Sequence, residues 1–340
     1  MKKLTVLRTL FALFCFAFLV GCDNPLSTDS KSHETNDDWT ALSPWGKSIF
    51  IDSYTGYSVG RTISKTVDAG ETWSQIYTDP DPDFTFYDIT FRGSLGFAIG
   101  TAHNLPPSPL LESRVFKTTD GGNSWTVCHI DSSGGYSFGC VYMNSLTEIY
   151  IGIRGDLFGS GTKILRSTDE GKSWSISLAN QNSSEGIYGI LSVNNSVHVV
   201  SSLHSYRLAG NQWQLLPDII NPHGNPHIIS QGTDGTMLYI AGGDWSSSSR
   251  KMLACFNGSG WNINTDLDFG KLFCVGFQNP STGYCAGIFN NAGTIYATTD
   301  GGVSWEKMRT MQNDAPNQII TTQKYIYFIG NFSTLRYRVH

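Results

Sequence analysis

Four segments of the chain align without a gap: 66–73 (TVDAGETW), 118–125 (TTDGGNSW), 167–174 (STDEGKSW) and 298–305 (TTDGGVSW). They share Ser/Thr-x-Asp-x-Gly-x-Ser/Thr-Trp. Recurrence at periods of 20–50 residues marks architectures in which each repeat is one supersecondary unit that buries its apolar face only against its neighbours. The residue types specify a turn. An aspartate accepts backbone N–H bonds inside a tight turn, and glycine two residues later supplies a positive φ that other residues resist. Flanking hydroxyls cap the same loop, and the tryptophan packs where the next strand begins. Each copy therefore reads as a strand–turn–strand hairpin, and Asp68, Asp120, Asp169 and Asp300 read as structural rather than catalytic. So do Gly70, Gly122, Gly171 and Gly302, and Trp73, Trp125, Trp174 and Trp305.

The pattern is the Asp box, or BNR repeat. Two eroded copies, 208–213 (LAGNQW) and 257–261 (NGSGW), keep glycine and tryptophan without the aspartate. With Trp39 included, the marker tryptophans stand at 39, 73, 125, 174, 213, 261 and 305. Their spacings suit one four-stranded blade each and predict an all-β, single seven-bladed propeller rather than one of six or eight blades. A second motif precedes the boxes: 55–60 (TGYSVG), 95–100 (LGFAIG) and 282–287 (TGYCAG), with looser versions at 148–152 and 237–242. It alternates as a buried strand does and ends at glycine where a blade narrows. One blade is then strand A, turn, this strand B, loop, strand C, box turn, and strand D from the tryptophan. The segments 318–322, 325–330 and 334–339 give three strands and no fourth, whereas 39–42 is a D strand with no blade of its own. Pairing of these termini closes the ring and removes open edges. Residues 39–340 show no linker and form one domain.

The first residues form a separate region. Lys2, Lys3 and Arg8 precede an apolar run of eleven residues, 10–20. That is too short for a bilayer core of about 30 Å, so it reads as a signal-peptide core. Leu19-Val20-Gly21-Cys22 resembles the bacterial lipobox, which implies cleavage after residue 21 and a lipid on Cys22. Asp23 resembles the signal that retains lipoproteins in the inner membrane of enteric-type bacteria. Residues 22–38, with one leucine and no aromatic residue, read as a flexible tether. The expected location is the periplasmic side of the cell envelope, lipid-anchored, with the outer membrane as the alternative.

Cleavage removes three basic residues, leaving 20 against 28 acidic ones and a net charge of −8. That balance argues against nucleic acid as a partner, because phosphate binding needs a basic face. Five cysteines remain beyond Cys22. Cys274 and Cys285 flank a turn and admit a bridge, but small core fillers are favoured.

Gly-aromatic-x-x-Gly followed by the Asp box resembles the photosystem II stability and assembly factor family over about 45–310. The resemblance implies a seven-bladed, extracytoplasmic, non-enzymatic propeller that binds an assembling membrane protein. The family's basic partner-binding patch has no counterpart here, where arginines are few and unclustered. Asp boxes also occur in sialidases and xyloglucanases, but Arg-Ile-Pro and Arg-Leu-Pro, which begin a sialidase domain, are absent.

In a propeller the box turns and A–B turns share one face, and the B–C and D–A loops share the other, where ligands bind. Four stretches fall on that second face. Segment 221–227 carries His223 and His227, four apart on a Pro/Gly loop without an evident third ligand, and reads as a solvated loop rather than a metal site. Asp79-Pro-Asp81-Pro-Asp83 reads as a solvated acidic turn, since it lacks the glycine and distal glutamate of a calcium loop. Trp245, in 243–250, suits a sugar or a partner. The insertion 102–114 carries Leu110 and Leu111 and suits partner contact. No metal or cofactor is expected, nor any catalytic residue. The expectation is a monomeric, lipid-anchored scaffold for a membrane protein; the alternative is a glycan-binding or glycoside-hydrolase-like propeller.

Overall fold

The computed structural model describes residues 38–340 except 44–45, 104–110, 135–136, 155–161, 181–184, 203, 220–226, 244–250, 265–270, 290–291 and 313. The expected signal peptide (1–21), Cys22 and all but the last residue of the tether (22–38) lie outside the described residues.

The described chain is a seven-bladed β-propeller of four-stranded antiparallel sheets. β1 (Trp39–Leu42) comes first. Blade 1 is β2 (Lys47–Phe50), β3 (Gly56–Val59), β4 (Thr62–Thr66) and β5 (Ser74–Thr78). Blade 2 is β6 (Phe84–Arg92), β7 (Leu95–His103), β8 (Leu111–Thr118) and β9 (Thr126–Gly134). Blade 3 is β10 (Ser137–Met143), β11 (Ile149–Arg154), β12 (Thr162–Ser167) and β13 (Ser175–Asn180). Blade 4 is β14 (Ile187–Val193), β15 (Ser196–Ser201), β16 (Ser205–Ala209) and β17 (Gln212–Leu215). Blade 5 is β18 (His227–Thr233), β19 (Leu238–Gly243), β20 (Lys251–Phe256) and β21 (Trp261–Asn264). Blade 6 is β22 (Lys271–Phe277), β23 (Gly283–Phe289), β24 (Ala292–Thr298) and β25 (Glu306–Met311). Blade 7 is β26 (Gln318–Thr321), β27 (Tyr325–Ile329) and β28 (Thr334–Arg338), completed by β1.

The seven tryptophan markers each open or adjoin the fourth strand of a blade, so the spacing counted the blades correctly. Closure also follows the sequence expectation: β1 pairs antiparallel with β28, Trp39 opposite Tyr337. The first strands of successive blades contact one another around the ring and form its inner wall. In blades 2 to 6 that strand carries a bulge at an equivalent place, at Phe86/Asp88, Phe138/Cys140, Ile187/Gly189, Ile228/Ser230 and Leu272/Cys274. A bulge adds one residue and increases local twist, which suits strands that converge on an axis.

The core lies between blades. Six apolar clusters each straddle one seam, joining blades 1–2, 2–3, 3–4, 4–5, 5–6 and 6–7. Second-strand residues of the Gly-aromatic motif supply much of this burial; Tyr57, Phe97, Tyr150, Tyr239 and Tyr284 are all buried. Cys274 and Cys285 are buried and free. Cys274 lies opposite Ala286 and Cys285 opposite Val275, so the two thiols enter clusters on opposite sides of the sheet and act as fillers.

Candidate binding face

The box face is built by a repeated hydrogen-bond pattern. In the first copy Thr66 Oγ1 donates to Asp68 Oδ1 (2.7 Å) and accepts from Gly70 N–H (3.0 Å). Thr72 N–H and Oγ1–H donate to Asp68 Oδ1 and Oδ2 (2.9 and 2.6 Å). The other three copies repeat this around Asp120, Asp169 and Asp300. Bonds to the hydroxyl of the following Ser or Thr, then to its backbone N–H, hold all four carboxylates down at a pKa of about 2. Both oxygens of each carboxylate are engaged within its own turn. Each box turn also bonds to the A–B turn of its blade, as in Gly121 N–H to Ser94 O (2.9 Å) and Gly301 N–H to Ser281 O (2.8 Å).

The opposite face gathers the B–C and D–A connections, and side chains lock their described parts. Between blades 1 and 2, Arg114 of β8 donates from Nη1 to Asp79 Oδ1 (2.8 Å) and from Nε to Glu112 Oε1 (2.6 Å). Its Nη2 lies 3.6 Å from Asp81 Oδ2, and the guanidinium sits over the Phe84 ring at 5.1 Å. The acidic turn is therefore only in part the solvated one expected from its sequence. Asp79 is buried and paired with Arg114, whereas Asp83 at the far end of the turn stays exposed as expected. Arg61 Nη1 adds a bond to Pro82 O (2.8 Å).

In blade 4 the buried Glu185 lies 2.6 Å from His204 Nδ1 through Oε1 and accepts from Ser201 Oγ through Oε2. This ties the connection entering the blade to the β15–β16 turn. Between blades 6 and 7, Asp314 accepts from Ala315 N–H, Asn331 N–H, Phe332 N–H and Ser333 Oγ (2.7–3.2 Å). One carboxylate thus fixes the whole β27–β28 turn, with Asn317 Nδ2 donating to Asn331 Oδ1 (2.9 Å). The turn presents Phe332, which is 76% exposed. On the inner wall Asp88 is buried, and burial pushes its carboxyl pKa up, offset in part by Lys47 and by Val141 N–H.

Of the residues singled out on this face, Leu110, His223 and Trp245 lie outside the described residues. Leu111 and His227 occupy the first positions of β8 and β18, but their side chains lie outside the description. Among the described residues, no group of three His, Cys, Asp or Glu side chains is placed to hold a metal ion. Arg114, Glu185, His204, Asp314 and Phe332 were not legible as a set. Apart from Glu112 beside Arg114 and Ala315 beside Asp314, their partners stand 16 to 35 residues away, and no local spacing announces them.

No protein-family model matches the sequence, and no curated protein matches it significantly. In structure the chain is similar to YCF48 bound to a D1 peptide, with a TM-score of 0.68 and 19% identity over 92% of this chain and 100% of that one. It is similar to YCF48 from Cyanidioschyzon merolae, with a TM-score of 0.66 and 14% identity over 88% and 99%. The GH74 xyloglucanase from Xanthomonas campestris gives a TM-score of 0.64 and 12% identity over 87% of this chain and 52% of that one. At these identities the likeness establishes the fold. Both binding and glycan-cleaving proteins share it.

Proposed function

We propose that this chain is a lipid-anchored, periplasmic, non-catalytic propeller that binds a segment of a membrane protein on its B–C/D–A face. Cys22 would carry the lipid and residues 22–38 the tether, with Asp23 favouring the inner membrane. Lipid and tether then raise the local concentration of the propeller near membrane clients.

The observation that carries this reading is the Asp314-bound turn. An aromatic side chain held on a rigid turn and exposed to solvent is the kind of group that anchors protein interfaces. Asp314 fixes this turn, and elsewhere on the face Arg114 and Glu185 fix other connections, as a rigid presenting surface requires. The likeness to a YCF48 bound to a peptide, and the motif resemblance to assembly factors, support the same direction.

The test is site-specific photocrosslinking in cells with the full-length, C-terminally tagged protein. A crosslinker at Phe332 is expected to capture one membrane protein in near-stoichiometric amount. A crosslinker at Val303, 81% exposed on the box face, is expected to capture none. Equal labelling from both positions, or no adduct from Phe332, would overturn the assignment.

A further inference from the structure

The seam that closes the ring is built unlike the other six. Among the described residues, no apolar cluster spans blades 7 and 1. A stack of Phe50 on Tyr327 (centroids 4.3 Å apart) joins them, together with polar links. Gln318 donates from Nε2 to Ser48 O and accepts from Ser48 N–H (2.8 and 3.2 Å). Tyr327 OH and Arg336 Nη1 both donate to Ala69 O (3.2 and 3.1 Å).

Register shows where the difference arises. In each blade one cross-strand pair between the second and third strands faces the preceding blade. In blades 2 to 7 that pair is apolar or aromatic: Ala98–Phe116, Ile151–Leu165, Val199–Tyr206, Ile240–Ala254, Cys285–Tyr296 and Phe328–Leu335. In blade 1 it is Ser58–Ser64. Tyr57, Val59 and Ile63 of the same strands point the other way, into the cluster shared with blade 2.

The two serines border a cleft of about 440 Å³ whose lining includes Ser43, Thr62, Glu71 and Trp73. That volume lies within the range of small-ligand sites, roughly 300–1,000 Å³. The lining chemistry narrows the ligand class. Among the described residues of the lining Glu71 alone is charged, and Arg336 Nη2 pairs with it at 2.9 Å. The site thus carries no spare charge for an ion. Hydroxyls offer donors and acceptors at short range, and an indole offers an apolar surface. Together they match a neutral ligand with hydroxyls on its edges and C–H groups on its faces.

We infer that the closure seam between blades 7 and 1 is a binding site for a neutral carbohydrate of one or two sugar units, centred on Ser58, Ser64 and Trp73. One end of the cleft, at Ser43, Gly46, Gly60 and Thr62, lies on the same face as Phe332, but the inference does not rest on the assignment made for Phe332.

Isothermal titration of the full-length protein with cellobiose, chitobiose and maltose tests it, with tryptophan fluorescence as a second signal. At least one disaccharide is expected to bind saturably, with a dissociation constant in the millimolar range or tighter. The S58I/S64L variant copies the Ile151–Leu165 pair of blade 3 and fills the cleft. It is expected to lose at least about tenfold in affinity and to melt at a higher temperature than the parent. Ser64→Ala keeps the cleft open and removes one hydroxyl, for an expected loss of about three- to tenfold. It decides the question if the filled variant fails to fold by circular dichroism. Absence of binding by all three sugars would overturn the inference, as would affinity unchanged in Ser64→Ala and in a folded S58I/S64L. Loss of sugar binding with Phe332 crosslinking intact would confirm that the two sites are separate.

Discussion

At the residue scale, the box turns show both how much a motif announces and where it stops. The aspartate, second glycine and tryptophan are fixed in type, and their roles follow from turn chemistry. The residue between Asp and Gly varies, so nothing in the pattern marks it. Yet it too takes a left-handed backbone in all four copies: φ is 60° at Ala69, 71° at Gly121, 62° at Glu170 and 75° at Gly301. A side chain there costs about 1–2 kcal/mol relative to a right-handed conformation, and glycine loses roughly 0.5–1 kcal/mol of that advantage through unfolded-state entropy. Ala69→Gly is therefore expected to stabilise the protein by about 0.5–1 kcal/mol, read as a raised midpoint in urea. The box carboxylates set a pH dependence as well. Their pKa falls from 3.8 free to about 2 folded, so the stability they contribute is fully present above about pH 4. It is lost as pH falls through 2. Urea midpoints should decline across that window, and Asp120→Asn should make the decline shallower.

At the element scale, the Gly-aromatic strand was legible as buried, but its second task was not. Tyr57 OH of β3 donates to Gly121 O (2.9 Å), and Lys65 Nζ of β4 donates to the same carbonyl (3.1 Å). Gly121 belongs to the box of the next blade. The arrangement recurs with Tyr327 and Arg336 on Ala69 O, with Lys117 on Glu170 O (2.8 Å) and with Tyr239 OH on Gly301 O (3.0 Å). Each box thus presents the carbonyl of its variable residue outward, and the preceding blade grasps it. The left-handed φ and the inter-blade clamp are one device, because the first aims the acceptor that the second uses. Sequence alone could not show this, since donor and acceptor lie more than fifty residues apart. Tyr57→Phe is expected to lose about 1 kcal/mol, as for a typical buried hydrogen bond. The double variant with Lys65→Met should lose more than the sum of the singles, because it leaves the carbonyl without a donor. Denaturant titration of the four proteins in the cycle gives the coupling.

At the scale of the whole molecule, the tryptophan spacing revealed seven blades, and the count of strands at the two ends revealed a ring closed by its own termini. Neither revealed the character of the closing seam, since Ser58 and Ser64 read as ordinary alternating residues until register set them against six apolar counterparts. A ring in which, among the described residues, one seam has no apolar cluster across it depends more heavily on the strand that bridges its ends. β1 has only four residues, and among the described strands it pairs with β28 alone. Trp39 anchors it, with its ring tilted against Tyr337 (4.9 Å) and Phe328 (5.7 Å) and covered by the Arg309 guanidinium at 4.7 Å. Trp39 is only half-buried, so Trp39→Ala should fall at or below the lower end of the usual range for such truncations, about 2–3 kcal/mol. The location of the loss is more telling than its size. Hydrogen exchange should quicken first in β1 and β28, then in β2 and β26 beside the polar seam, while blades 3 and 4 stay protected until global unfolding. Uniform loss of protection around the ring would mean that closure is cooperative with every seam, and that β1 is no weaker a point than any other strand.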